Sequence, residues 1–325
     1  MNKKVGNSML EIIFLVLGFI IILKSSDILV DCASSLAIKL KIPKMLIALT
    51  IVAFGTCAPE IAISFQSVAS KNGTVAFANV IGSCIVNTFL IIGLAALVRP
   101  IKVKHATIKK ELPILLIITT GFSILMLDSV FNPLTPNTFS RADGIILILL
   151  FMMFLSYVIQ LSKRKDDSSE KIEPKFKNIL LILFLIIGSI ICISWSSDII
   201  VDNAISLAEK LHISEKIITM IVIVIGTSLP EMFMTVTSAK KKEFDMAIGN
   251  IIGTNIFNIC IVLGLPITIY GDLVLTSFNL SDILTVFLTS FLLYIFAKSE
   301  QVVSKKEAFT MLGIFIAYYV VLVIS

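Results

Sequence analysis

The chain has 325 residues, 57% of them hydrophobic and only 15% charged, with a mean hydropathy of +1.01 and a formal charge of +5. This composition lies far outside that of water-soluble domains, so the solvent for most of the chain is lipid and a nucleic-acid partner is not implied. The five cysteines show no metal-type spacing, and the two histidines, His105 and His212, fall in predicted loops, which argues against a histidine-held metal or haem.

Crossing a hydrocarbon core takes about 20 helical residues, and ten apolar stretches come close enough to that length once tilt is allowed. They lie near 10–23, 43–65, 75–98, 112–127, 143–161, 179–195, 214–237, 246–269, 281–297 and 308–324. The first follows Lys3 and Lys4 as a signal peptide would, but Glu11 opens it and no small-residue cleavage site follows, so a retained span is expected. The polar stretch 162–178 is the one extended linker, and it divides the chain into 1–161 and 179–325. Of the 27 Lys and Arg residues, 21 follow the odd-numbered spans, including Lys39, Lys44, Lys102, Lys175 and Lys240 to Lys242. The positive-inside rule then puts the odd-numbered loops in the cytoplasm and both termini outside a cell membrane crossed many times.

The chain matches itself at an offset of 171 residues. Ser25 to Ile42 (SSDILVDCASSLAIKLKI) faces Ser196 to Ile213 (SSDIIVDNAISLAEKLHI), identical at 13 of 18 positions. Gly55-Thr56-Cys57-Ala58-Pro59-Glu60 faces Gly226-Thr227-Ser228-Leu229-Pro230-Glu231; Asn79 faces Asn250, Ser83 faces Thr254 and Asn87 faces Asn258. With five spans on each side of the linker, the copies must cross the membrane in opposite directions. The expected fold is an all-α integral membrane protein of ten transmembrane helices in two inverted five-helix repeats.

Glu60 and Glu231 fall in the middle of apolar spans, where an unpaired carboxylate costs at least about 2.5 kcal/mol, and no Lys or Arg shares spans 2, 3, 7 or 8 with them. The missing partner is a cation; two protonated, hydrogen-bonded acids are the structural alternative. Pro59 and Pro230 free the carbonyls of Gly55 and Gly226 from the helical ladder. Thr56, Ser64, Ser83, Asn87, Thr227, Ser228, Thr254 and Asn258 add neutral oxygens. Hard cations such as Ca²⁺, which takes about 6 to 8 oxygen ligands, want such a set.

The doubled motifs, Gly55 to Glu60 with Ala78 to Asn87 and Gly226 to Glu231 with Gly249 to Asn258, resemble the two α-repeats of the sodium/calcium exchanger family, prokaryotic-type without a regulatory domain. The resemblance covers the whole chain. It implies that Glu60 and Glu231 coordinate Ca²⁺ and Na⁺ with Thr56 and Thr227, that Ser228, Ser83 and Thr254 complete flanking Na⁺ sites, and that Asn87 and Asn258 line the centre. It further implies that spans 1 and 6 slide past the remaining core, with Ser25-Ser26-Asp27 and Ser196-Ser197-Asp198 ending those spans near the two surfaces. Asn258 stands where potassium-dependent relatives often carry Asp. The first copy departs from the family pattern at Cys57, Ala78 and Cys84, where Ser, Gly and Asn are usual. At Cys57 a soft thiol replaces a hard Na⁺ ligand, which keeps an H⁺/Ca²⁺ antiporter open as the alternative. A channel would need no counter-ion. An intramembrane enzyme would need a nucleophile or metal triad that the sequence lacks, so no enzyme, no cofactor and no obligate protein partner are expected, only the transported ions and the bilayer.

Overall fold

The computed structural model describes residues 2–127, 137–163, 173–210, 224–275 and 280–324. These residues are predominantly helical. In chain order the helices are α1 (Asn2–Leu40), α2 (Lys44–Thr56), α3 (Ala58–Ala69), α4 (73–98), α5 (His105–Lys109), α6 (Glu111–Leu125) and α7 (Arg141–Ser162). After the linker come α8 (Ile179–Lys210), α9 (Val224–Thr227), α10 (Leu229–Lys240), α11 (Phe244–Tyr270), α12 (Leu280–Ser299) and α13 (Lys305–Ile324). Among the described residues six helices are long and apolar enough to cross a membrane, seven if the bent pair α2 and α3 counts as one span. The predicted span at 214–237 and the loop after α6 lie partly outside the described residues, at 211–223 and 128–136.

Hydrophobic burial falls into two clusters. The larger joins α4, α6, α7 and α11 to α13, with Phe77, Phe122 and Phe139 in mutual ring contact. The smaller lies along α1 and α8, which pack against each other over much of their length through residues such as Ile22, Leu29, Ile182, Ile193 and Ile200. Their other faces carry Phe14, Ile20, Phe184, Ile187 and Trp195 outward, as lipid-facing helices do. Both ends of the α1–α8 pair are tied. Lys210 meets Glu11 at 2.7 Å, Ser206 donates to the same carboxylate, and Lys39 donates to the Lys177 carbonyl.

The two long helices correct the sequence reading. Spans 1 and 6 were expected to stop near residues 23 and 195, with the Ser-Ser-Asp triplets ending them near the two surfaces. Instead α1 runs through Lys24 to Leu40 and α8 runs through Asp198 to Lys210. Beyond the first triplet apolar residues return at helical spacing: Leu29, Val30, Ala33, Leu36 and Ala37 are fully or almost fully buried. Ser25 and Ser26 therefore sit inside a continuous helix, facing inward, and not at its end.

Short strands clip the loops. β1 (Ile101–Lys102) pairs antiparallel with β4 (Val302–Val303), and β2 (Asn137–Phe139) with β3 (Leu273–Leu275). The loops at 44, 102–104, 242–245 and 300–302 converge around a 590 Å³ cavity, whereas those at 70–73 and 272–274 share another. The lysine-rich connections thus gather in one place and the lysine-poor ones in another.

Candidate functional site

The motif Gly-Thr-x-x-Pro-Glu breaks its helix in both copies. Pro59 and Pro230 occupy early positions of α3 and α10, where a missing N–H is tolerated, and the residues before the new helices, Cys57 and Ser228, share almost the same backbone geometry (φ −75° and −89°, ψ 2° and 7°). The axes of α2 and α3 diverge by 52° at this break. Glu60 and Glu231 therefore lie in the first turns of α3 and α10, where the positive end of the helix dipole favours a carboxylate.

Both acids are essentially inaccessible, at 1% and 0%, and lie close enough to interact electrostatically with each other and with Cys57. All four of their carboxyl oxygens are buried without a hydrogen-bond partner. So are Ser83 Oγ, Asn87 Oδ1, Ser228 Oγ, Thr254 Oγ1 and both amide atoms of Asn258. Every ion pair among the described residues lies elsewhere. Buried polar groups are ordinarily paired, and an unpaired charge is the costliest exception. Bare oxygens of this kind, two carboxylates with hydroxyl and amide groups, are what a hard cation can take as ligands. No group of three His, Cys, Asp or Glu capable of holding a metal occurs among the described residues; the unpartnered side chains named above offer two carboxylates and neutral polar groups.

The remaining sequence candidates divide. Thr56 is buried beside Glu231, within reach of its carboxyl group, and its hydroxyl also lies 3.3 Å from the Ala53 carbonyl, to which it donates. Thr227 is half-buried and lines a cavity described below. The Cys57 thiol turns to the Thr254 carbonyl at 4.0 Å. Ser64 is not a free oxygen: it accepts from Asn79 Nδ2 at 3.0 Å, and the same amide donates to the Glu60 carbonyl at 3.1 Å. The copy repeats this brace, with Asn250 Nδ2 donating to Thr235 Oγ1 at 3.0 Å. Of the two carbonyls freed by proline, that of Gly226 accepts from Ser197 Oγ at 2.8 Å. Ser26, the counterpart of Ser197, is buried with its hydroxyl unpartnered.

Sequence reasoning passed over Asn255 and Thr88. Asn87 Nδ2 donates to Asn255 Oδ1 at 3.1 Å, and Asn255 Nδ2 donates to Thr88 Oγ1 at 3.0 Å. Their counterparts at the 171-residue offset are Cys84 and Ile259. A search for repeated polar residues cannot find a pair that exists in one copy only.

Close approach of the helices explains the motif glycines. A Cβ on Gly253 of α11 would lie 2.8 Å from Ala53 Cβ and 2.9 Å from Leu49 Cα, and one on Gly226 would lie 2.2 Å from a Val201 methyl.

The two copies differ in what surrounds the acids that follow their Ser-Ser pairs. A 560 Å³ cavity bordered by Pro59, Ser197, Asp198, Asp202, Gly226 and Thr227 leads to the second motif. The equivalent acids of the first copy, Asp27 and Asp31, are instead bridged by Lys241, whose ammonium lies 3.4 Å and 2.8 Å from them and donates to the Asp27 carbonyl, with the Asp27 side chain still 52% exposed. Lys175 meets Asp31 at 2.5 Å, and that carboxylate pushes the Lys175 ammonium above the usual lysine range. Lys44 and Ser34 both bind Glu243 nearby.

Comparison with known proteins gives a consistent result. A family described as sodium/calcium exchanger protein matches residues 10–160 and 181–324. The chain is 36% identical over 260 residues to inner membrane protein YrbG of Escherichia coli, covering 78% of each. It is 28% identical over 345 residues to the sodium/calcium exchanger MaX1 of Methanosarcina acetivorans, covering 95% of this chain and 97% of that one. The solved structure of the sodium-calcium exchanger NCX_Mj soaked with 10 mM Na⁺ and zero Ca²⁺ superposes with a TM-score of 0.82 at 27% identity, over 96% of this chain and 99% of that chain.

Proposed function

The chain belongs to the sodium/calcium exchanger family, a membrane cation antiporter, and from that premise we propose that it exchanges Ca²⁺ for Na⁺ at a single buried pocket centred on Glu60 and Glu231. The observation that carries this reading is the coincidence of two independent selections: the oxygens repeated in sequence are largely those left buried and unpartnered in the fold. Ser83, Asn87, Ser228, Thr254 and Asn258 complete the ligand set, with Thr56 and Thr227 able to turn toward it. Two ionised carboxylates without a partner are poorly solvated and mutually repulsive, so the empty pocket resists crossing the membrane barrier and exchange is obligatory.

The proposed architecture is ten transmembrane helices in two inverted five-helix halves, 1–161 and 179–325, joined by a cytoplasmic linker at 162–178. Three observations support it. Thr119 and Ser290, equivalent at the 171-residue offset, hydrogen-bond to each other at 2.7 Å, as positions flanking a twofold axis would. The strand clips β1–β4 and β2–β3 join loops that exchange under the same operation. The family match falls into two blocks with the linker between them. In the proposed cycle α1 and α8, packed and tied to each other at both ends, move together against the core. With the lysine-rich loops in the cytoplasm and both termini outside, the cavity at Asp198 and Asp202 opens outward and the Lys241–Asp27–Asp31 contacts close the cytoplasmic path.

Proton coupling is the second reading, favoured by Cys57, whose thiol is turned to the Thr254 carbonyl where its counterpart Ser228 presents a free hydroxyl. Flux of radiolabelled Ca²⁺ into proteoliposomes, with Na⁺ and pH gradients imposed separately, decides between them. Uptake that follows the Na⁺ gradient supports exchange for Na⁺; uptake that follows only the pH gradient replaces it; uptake that needs neither counter-ion defeats both.

A further inference from the structure

The two central asparagines, Asn87 and Asn258, are equivalent in sequence and unlike in their surroundings. Asn87 has its amide nitrogen fixed by Asn255 Oδ1 at 3.1 Å, and Asn255 is itself anchored on Thr88 at 3.0 Å. That tie settles which end of the amide faces where, and it leaves Asn87 Oδ1 as a buried, unpartnered acceptor. The same operation applied to Asn258 calls for a partner at residue 84 and an anchor at residue 259. The chain has Cys84 and Ile259 there, neither of which can accept strongly from an amide. The helical segment ending at Ile85 does pack against the segment starting at Asn258, so proximity is kept while the hydrogen bond is lost. Accordingly both Asn258 Nδ2 and Oδ1 are buried at 0% exposure with no partner.

We infer that Cys84 is a positioning residue that keeps Asn258 untied, making Asn258 an adjustable ligand that can turn its oxygen to a bound cation or its nitrogen to a bare carboxylate, while Asn87 is a fixed one. This rests on the proposed cation pocket. An untied amide must be oriented as the ion arrives, so it binds less tightly and releases more readily than a preorganised one. Cys84→Asn supplies the missing acceptor and favours Asn258 with its oxygen inward, although Ile259 gives the new amide no anchor of the kind Thr88 gives Asn255. One net hydrogen bond of preorganisation corresponds to a roughly two- to tenfold change in affinity.

The experiment is a Ca²⁺ titration of the purified full-length protein, followed by Ca²⁺ flux, on Cys84→Asn, Asn255→Cys and the exchanged pair carrying both changes. Cys84→Asn is expected to bind Ca²⁺ about two- to tenfold more tightly and to release it more slowly, lowering KM and maximal flux together. Asn255→Cys is expected to weaken binding by a similar factor. The exchanged pair, with the tie moved from one half to the other, is expected to return toward the wild-type affinity, which a change in packing alone would not produce. If the asparagine at 84 is not tolerated, Asn255→Cys alone carries the test through the opposite shift. Glu231→Gln in the same titration separates the two levels. If it abolishes binding while the Cys84 and Asn255 variants bind as wild type, the pocket stands and the role of Cys84 is overturned. If Glu231→Gln binds normally, the pocket and this inference fall together.

Discussion

Replacing Glu231 by Gln keeps the shape of the side chain and removes half the carboxylate charge of the pocket. Both Glu231 oxygens are buried and bare, so no other group compensates for the loss of a ligand to the cation. Removing one partner of a buried charge pair costs about 3 to 5 kcal/mol, which lowers Ca²⁺ affinity by roughly 150-fold to several thousandfold. The effect on the empty protein has the opposite sign, because one desolvated, mutually repelling carboxylate disappears. Thermal unfolding with and without Ca²⁺ reads both effects at once. At 100 times its dissociation constant, Ca²⁺ stabilises the wild type by about 2.7 kcal/mol, a rise of about 4 °C for a chain of this length. At the same concentration the variant gains about 0.3 kcal/mol or less. Its unfolding temperature in chelator should equal or exceed that of the wild type. A folded Glu231→Gln protein that retains the full Ca²⁺-dependent shift would refute the argument, as would a variant that loses stability in chelator alone.

Four further outcomes are expected. Cys57→Ser places a hard oxygen opposite Ser228 and should strengthen the Na⁺ dependence of exchange while Ca²⁺ affinity moves less; a flux driven by pH and indifferent to Na⁺ in both proteins would contradict this. Lys241→Ala removes the ammonium shared by Asp27 and Asp31, a partly exposed contact of about 0.5 to 1 kcal/mol, and should shift the population about two- to fivefold toward the inward-open form, measured by thiol accessibility of a cysteine placed at the buried Ser26. A cysteine at Lys175 should label only from the cytoplasmic surface and one at Asn72 only from outside, and the reverse pattern would invert the topology. Gly253→Ala forces a methyl to within 2.8 Å of Ala53 Cβ and should cost about 1 to 3 kcal/mol, seen as a lowered unfolding temperature with no change of Ca²⁺ specificity.

What the sequence by itself determined follows from signals carried by single residues or by their repetition. An apolar run announces a lipid-facing helix because the backbone must satisfy its own hydrogen bonds in hydrocarbon, and a glutamate repeated after Gly-Thr-x-x-Pro announces a pathway because burial of an isolated charge is otherwise too costly. Only the tertiary structure decided where α1 and α8 end, since Lys24 and the Ser-Ser-Asp triplets look like surface positions until the far side of each helix is seen packed. It likewise decided which oxygens are spent and which are free: Ser64 and the Gly226 carbonyl are occupied, whereas Ser83, Ser228 and Thr254 are not. The Asn87–Asn255–Thr88 chain and the Lys241 contacts were hidden for one reason. Both are asymmetric, joining a residue of one half to a residue of the other whose equivalent has a different chemistry, and repetition in sequence is silent wherever the two halves differ. Partnership is a property of where side chains meet in space, and in a duplicated chain that is what makes two similar halves into one pocket with two unequal sides.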